Sequence, residues 1–279
     1  MKIITAKHAG FCFGVKRAVD IARSTLENTL DNVYITGEIV HNKTVVTELA
    51  DKGLKNAQSI NDIPDGSTLI LKAHGSASEC YDYARRKNLK IIDATCPMVT
   101  EIHKKAQKLE EMGYQVLVYG DKDHEEVIGI CGHLKNPRVV RTVDDIKILN
   151  LSGKVGMVCQ STQKIDEIIT VCAEIEKRTK EFIFENTLCE TTKLRQKEVK
   201  ELAGSSDAVI VVGSKNSANT KHLCEEATKI NRNTFWIETA DDAASLNFDD
   251  NQTVAIISGA STPKSTIKAI AERLSSSQS

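Results

Sequence analysis

A short apolar run, a cysteine and an amphipathic, basic-studded stretch follow one another three times along this chain. Ile3-Ile4 leads to Gly10-Phe11-Cys12 and then Val15 to Ala22; Ile91-Ile92-Asp93 leads to Thr95-Cys96 and Val99 to Leu109; Phe182-Ile183-Phe184 leads to Leu188-Cys189 and Thr192 to Leu202. Each reads as strand, cysteine turn, helix. A second strand closing on glycine follows each helix, at Val33 to Gly37, Val116 to Gly120 and Val209 to Gly213, so glycine trails cysteine by 25, 24 and 24 residues. Four residues past these glycines stand His41, His124 and Ser217. A third strand end recurs at Leu69-Ile70-Leu71 before Ala73-His74-Gly75, at Gly156-Met157-Val158 before Gln160-Ser161-Thr162, and at Ala255-Ile256-Ile257 before Gly259-Ala260-Ser261.

Self-similarity of this kind defines units, and strands alternating with helices define parallel sheets. The pattern predicts an α/β fold: three pseudo-threefold-related α/β units with small, mostly parallel sheets facing one centre. If each unit runs from one cysteine to the strand before the next, the boundaries are 14–96, 97–189 and 190–279, with the third unit completed by the N-terminal strand within residues 1–13. Units of ~100 residues are an ordinary size. Nothing Pro-rich or low in complexity separates them, so the domains are expected to abut, and the polar tail 275–279 is expected to be loose.

Lys and Arg total 37 against 38 Asp and Glu, and this balance provides no field for nonspecific binding to nucleic acid or to a membrane. The longest apolar runs, such as Ala208 to Val212, fall far short of the ~20 residues of a membrane span. Met1 to Ala6 reads as a strand rather than a secretory leader, so a cytoplasmic location is expected. The eight cysteines are then reduced thiols, either core filler or metal ligands.

Cys12, Cys96 and Cys189 share the repeat context, whereas Cys80, Cys131, Cys159, Cys172 and Cys224 break it and read as packing residues. Three widely spaced thiolates, without the close CxxC pairs of structural zinc, suit an iron–sulfur cluster whose fourth iron stays open. His41, His74 and His124 each follow a strand near a helix start, where unpaired backbone amides attract an anion. With Ser217, Asn219 and Ser261 at matching places, the set reads as a phosphate or diphosphate cradle; helix capping is the competing explanation. Glu126, two residues from His124, is a candidate proton donor, whereas Glu125 reads as part of a solvated acidic loop. Lys16, Arg17, Lys104, Lys105, Lys193 and Arg195, early in the post-cysteine helices, read mainly as solvated faces. Neither GxGxxG nor GxxxxGK[ST] occurs, so electrons must come from an external donor.

At these residues the sequence resembles the LytB/IspH family of 4-hydroxy-3-methylbut-2-enyl diphosphate reductases. The resemblance spans essentially the whole chain and is strongest at Gly10 to Val15, Gly37 to Asn42, Ala73-His74-Gly75, Asp93 to Pro97, Gly120 to His124 with Glu126, and Gly213 to Ser217. It implies one [4Fe-4S] cluster per chain on Cys12, Cys96 and Cys189, an allylic diphosphate held by His41, His74, His124, Ser217, Asn219 and Ser261, and Glu126 as proton source. The implied reaction is reductive dehydroxylation to isopentenyl and dimethylallyl diphosphate, the last step of the methylerythritol phosphate route, with a donor such as ferredoxin or flavodoxin. Two positions depart from the family pattern. Ser161 stands where a threonine is usual, keeping the hydroxyl beside Glu126 but losing the methyl that fixes its rotamer; Ala218 replaces a serine and donates nothing. A non-redox hydro-lyase using the same open iron, or a cluster-bearing redox sensor, are the alternative readings.

Overall fold

A parallel strand buried on both faces needs helices on both sides of its sheet, and the connections of this chain supply them. The computed structural model describes residues 1–276. The first stretch contains β1 (Lys2–Thr5), α1 (Phe13–Asn28), β2 (Val33–Thr36), α2 (Lys43–Asp51), β3 (Lys55–Ala57), β4 (Thr68–Leu71), α3 (Ser78–Arg86) and β5 (Lys90–Asp93). Cys96 opens the second, with α4 (Pro97–Glu111), β6 (Gln115–Tyr119), α5 (Glu125–Cys131), β7 (Arg138–Val140), α6 (Val143–Ile148), β8 (Lys154–Cys159), α7 (Ile165–Glu176) and β9 (Glu181–Phe184). Cys189 precedes the third, with α8 (Glu190–Ser205), β10 (Ala208–Val212), α9 (Ala218–Ile230), β11 (Thr234–Ile237), β12 (Thr253–Ser258) and α10 (Lys264–Ser276). Ser275 and Ser276, assigned above to a loose tail, finish α10; residues 277–279 lie outside the described residues.

The fold is α/β, with three four-stranded sheets ordered β3-β2-β4-β5, β7-β6-β8-β9 and β11-β10-β12-β1. Among the described residues every strand pairing is parallel. The three orders are one topology, and β1 fills in the third sheet the place that β5 and β9 fill in the others. Each sheet gains an edge strand that the sequence pattern did not announce: β3, β7 and β11. Two compact units result. Unit 1 comprises Met1–Lys16, His41–Val45 and the chain from Glu190 onward; unit 2 comprises Arg17–Val40 and Val46–Cys189.

Strand alternation divides the buried residues between faces. In the second sheet Leu117, Tyr119 and Met157 pack with Ile168, Val171 and Ile175 of α7, while Val116, Val118 and Val158 pack with Ile102, Ala106 and Leu109 of α4. Ile210, Val212 and Ile256 likewise face Ile267 and Ile270 of α10, whereas Val209, Val211 and Ile257 face Val199 of α8 and Leu223 of α9. Among the described residues no helix is long and apolar enough to cross a membrane.

The seat of α4 depends on Gly156 in β8, where an added Cβ would lie 2.9 Å from Leu109 Cδ2 and 3.2 Å from Leu109 Cβ. Gly156→Ala is therefore expected to destabilise the fold by ~1–3 kcal/mol through overpacking. Gly204→Ala, whose Cβ would meet nothing nearer than Ile230 Cγ2 at 4.0 Å, is expected to cost nothing. Denaturant unfolding midpoints compare the two; equal midpoints would contradict this packing.

Candidate active site

In the first two sheets the chain winds outward in opposite directions from the two central strands, β2 and β4 or β6 and β8, and in the third β10 and β12 hold the same central places with the N-terminal β1 beside β12. The carboxyl ends of such a pair form a topological switch point, where open α/β sheets bind ligands. The loops leaving those six strands carry His41 and His74, His124 and Ser161, Ser217 and Ser261. The neighbouring strand of each sheet, β5, β9 or β1, runs into Cys96, Cys189 or Cys12. The amide of each cysteine binds a carbonyl of its switch-point loop. The amide of Cys12 donates to Ala260 O, that of Cys96 to Ala73 O and that of Cys189 to Ser161 O, all at 3.0 Å.

In unit 2, His124 caps α5, its Nδ1 accepting the Glu126 amide at 3.1 Å. A neutral His124 therefore carries its proton on Nε2. The His74 and His124 rings meet edge to face with centroids 5.8 Å apart. Glu126 is 2% exposed, and its two carboxyl oxygens accept the Ser161 amide at 2.6 Å and the Ser161 hydroxyl at 2.9 Å. Burial pushes its pKa from 4.5 up to about 7, against the opposing pull of the Ser161 hydrogen bonds. Glu126 thus titrates near neutrality, well above an ordinary carboxyl.

Glu125 corrects the sequence reading. It begins α5 but is only partly exposed and is engaged: it pairs with Lys72, and its Oε2 lies 3.1 Å from His74 Nδ1. Burial raises its pKa, but hydrogen bonds from His74 and Lys72 outweigh that and bring it down to about 2. Two adjacent carboxyl groups are thus displaced in opposite directions, one toward the charged form and the other toward the protonated form.

Unit 1 contains His41, Ser217, Asn219 and Ser261. The Ser261 hydroxyl donates to His41 O at 3.0 Å. Ser217 caps α9, its Oγ accepting the Thr220 amide at 3.3 Å, so capping and ligand binding are not exclusive: the hydroxyl proton is not used by the cap. Asn219, in the first turn of α9, is 6% exposed, and its Nδ2 has no hydrogen-bond partner among the described residues. A buried amide donor left unmatched costs about 1–3 kcal/mol, which an anionic ligand at this helix N-terminus would offset.

Comparison with known proteins places this architecture. The family profile described as LytB protein matches residues 3–275. The 4-hydroxy-3-methylbut-2-enyl diphosphate reductase of Trichlorobacter lovleyi is 41% identical over 275 residues, 98% of either chain. The chain belongs to the LytB family. The reductase of the same name from Aquifex aeolicus is 41% identical over 98% of this chain and 95% of its own. A solved structure of (E)-4-hydroxy-3-methyl-but-2-enyl diphosphate reductase, described as the terminal enzyme of the non-mevalonate pathway, superposes with a TM-score of 0.75 at 40% identity, covering 98% of this chain and 99% of that one. The Plasmodium falciparum E-1-hydroxy-2-methyl-but-2-enyl-4-diphosphate reductase gives a TM-score of 0.88 at 29% identity, covering 97% and 87%.

Membership of the LytB family implies an iron–sulfur enzyme, and the thiols suit one. Cys12, Cys96 and Cys189 each immediately precede a helix and are only partly buried. The Val15 amide points at Cys12 Sγ from 3.4 Å, an N–H to sulfur contact of the kind that tunes clusters. By contrast Cys80, Cys131, Cys159, Cys172 and Cys224 pack into or against apolar cores. The sequence reading missed the Lys72 partnership of Glu125, which no local signal announces, and the burial of Arg195, which is 3% exposed rather than on a solvated face.

Because the Glu126 pKa is raised in the folded state, its contribution to stability is fully present below about pH 4.5 and is lost as pH rises through about 7. Ser161→Ala removes a hydrogen bond to the ionised form, so the Glu126 pKa is expected to rise further. Carboxyl-carbon NMR titration reads this directly, and an unchanged or lower pKa would remove the Ser161 hydroxyl from the site.

Proposed function

We propose that this chain is a 4-hydroxy-3-methylbut-2-enyl diphosphate reductase, converting its substrate to isopentenyl and dimethylallyl diphosphate in the last step of the methylerythritol phosphate route. The observation that carries the mechanism is a buried Glu126, 2% exposed and hydrogen-bonded to Ser161 of a switch-point loop, in a chain 41% identical over 98% of its length to a reductase of that name. The hydro-lyase and sensor readings find no support among these relatives.

Reductive dehydroxylation breaks the allylic C–O bond, takes up two electrons and two protons, and releases water. One [4Fe-4S] cluster on Cys12, Cys96 and Cys189 supplies, when bound, an open iron for the hydroxyl oxygen and a path for the electrons. Glu126 delivers the proton that lets hydroxide leave as water, and the Ser161 hydroxyl keeps that carboxyl oriented. The Nε2–H of His124 and the side chains of His41, His74, Ser217, Asn219 and Ser261 hold the diphosphate, fixing where the hydroxyl falls. Glu125 holds His74 beside it through the contact already described. Protonation at either end of the allylic system gives the two products. The electrons come from an external one-electron carrier such as ferredoxin or flavodoxin, in the cytoplasm, where the thiols stay reduced. Each of the stretches 14–96, 97–189 and 190–279 with 1–13 carries one of the three sheets, which supports reading them as three repeat domains within the two compact units.

Protein prepared without oxygen is expected to be brown and to hold one cluster. Cys12→Ser, Cys96→Ser and Cys189→Ser are expected to lose iron and sulfide, because hydroxyls bind iron far more weakly than thiolates, whereas Cys224→Ser keeps both. Normal iron and sulfide in all three ligand variants would overturn the assignment. Glu126→Gln keeps size and hydrogen-bonding capacity but loses the transferable proton, so single-turnover rates are expected to fall ~10²- to 10⁴-fold with the cluster intact. The exposed Asp123 provides the charge control as Asp123→Asn; Glu125→Gln does not, because it also breaks the Lys72 and His74 pairing. Parent-like turnover by Glu126→Gln would move the proton to another group.

A further inference from the structure

The sixth residue after each cluster-loop cysteine is buried: Ala18, Ile102 and Arg195 are 0%, 1% and 3% exposed. In α1 and α4 an apolar side chain fills the place, so packing alone does not require a guanidinium in α8. Burying a charge is costly unless hydrogen bonds hold it, and here they do. Arg195 Nη1 donates to Ser258 O at 2.8 Å and reaches Gly259 O at 3.4 Å, while Nη2 donates to Gly10 O at 2.6 Å. Its fork therefore ties the loop leaving β12 to the loop that ends in Cys12.

The same two loops are joined at other points. The Gly10 amide donates to Ser258 Oγ at 2.8 Å and the Cys12 amide to Ala260 O. Gly10 adopts φ +105°, a conformation costly for any residue with a Cβ, and an added Cβ would also meet Lys264 Cγ at 2.8 Å. A backbone turn this constrained, with both its N–H and its C=O bound, has a fixed direction of exit, and two residues later that exit carries Cys12. Ser261 follows directly on the other tied loop.

We infer that Arg195 is a positioning residue which, by clamping Gly10 to Ser258 and Gly259, sets the place of the Cys12 thiol for cluster retention. The inference rests on the cluster assignment proposed above, but its geometric part belongs to the protein alone. Arg17 makes a related, single contact, its Nη1 donating to Thr95 O at 3.0 Å just before Cys96. Arg195 differs in bridging two loops at once. A lysine there keeps the charge but cannot span both carbonyl groups.

The test uses the full chain as parent, Arg195→Met and Arg195→Lys. In metal-free protein, hydrogen exchange at residues 9–13 is expected to quicken at least ~10-fold in both variants, while the Cys96 amide, bound to Ala73 O, keeps its parent rate. In anaerobically loaded protein, iron is expected to pass to a chelator ~10- to 100-fold faster, the usual cost of losing a ligand's support. Parent-like exchange at residues 9–13 in Arg195→Met overturns the inference. If that variant loses protection at Cys96 as well, Arg195→Lys decides alone, and either parent-like local exchange or a global loss of protection in the lysine variant overturns it. A parent protein that binds no cluster sinks the functional reading instead, with the exchange result on metal-free chain unaffected.

Discussion

Three backbone hydrogen bonds, from the amides of Cys12, Cys96 and Cys189 to the carbonyls of Ala260, Ala73 and Ser161, tie each of these three cysteines to the polar loop next to it. They exist because β1, β5 and β9 each run parallel to the strand carrying that loop, β12, β4 or β8. Parallel pairing sends both chains out of the same edge of a sheet, so a thiol and the group beyond the neighbouring strand emerge side by side. Disturbing the register of any of these pairs would separate a proposed ligand from its polar neighbours.

Within that frame, chemistry is assigned by environment. Glu125 and Glu126 are adjacent in the first turn of α5, yet one is ionised by Lys72 and His74 while the other is buried against neutral donors of Ser161. Opposite pKa displacement of neighbouring carboxyls is how a protein keeps one as a charge and the other as an acid at one pH. His124 contributes to both the fold and the site: accepting the Glu126 amide fixes the helix start, and the tautomer this selects leaves an N–H donor on the other ring nitrogen.

The repeat is broken where chemistry requires it. Glu126 belongs only to the second unit of the pattern, and the position of Ala18 and Ile102 becomes Arg195 only in the third. Unit 1 also contains the one sheet assembled from both ends of the chain, with β1 paired to β12. There the Cys12 loop arrives without the continuous chain that leads from β4 through α3 into β5, and the guanidinium supplies a tie between segments distant in sequence.

The sequence by itself determined the three cysteine turns, the nine principal strands and the helices after each cysteine, because a strand buried on both faces must be an apolar run and a helix on a sheet must be amphipathic. It also separated Cys12, Cys96 and Cys189 from five packing cysteines, since repetition is visible without coordinates. The edge strands β3, β7 and β11 were not legible: Lys55–Ala57 and Arg138–Val140 are short, largely open to solvent and hydrogen-bonded on one side only, so burial imposes no pattern on them. Only the tertiary structure decided that Glu125 is charged and clasped, that Glu126 is buried with its pKa raised and that Arg195 is inside. Each of those outcomes is fixed by partners far along the chain, Lys72, Ser161 and Gly10, and a side chain's electrostatic surroundings are set by what folding brings against it, not by its neighbours in sequence.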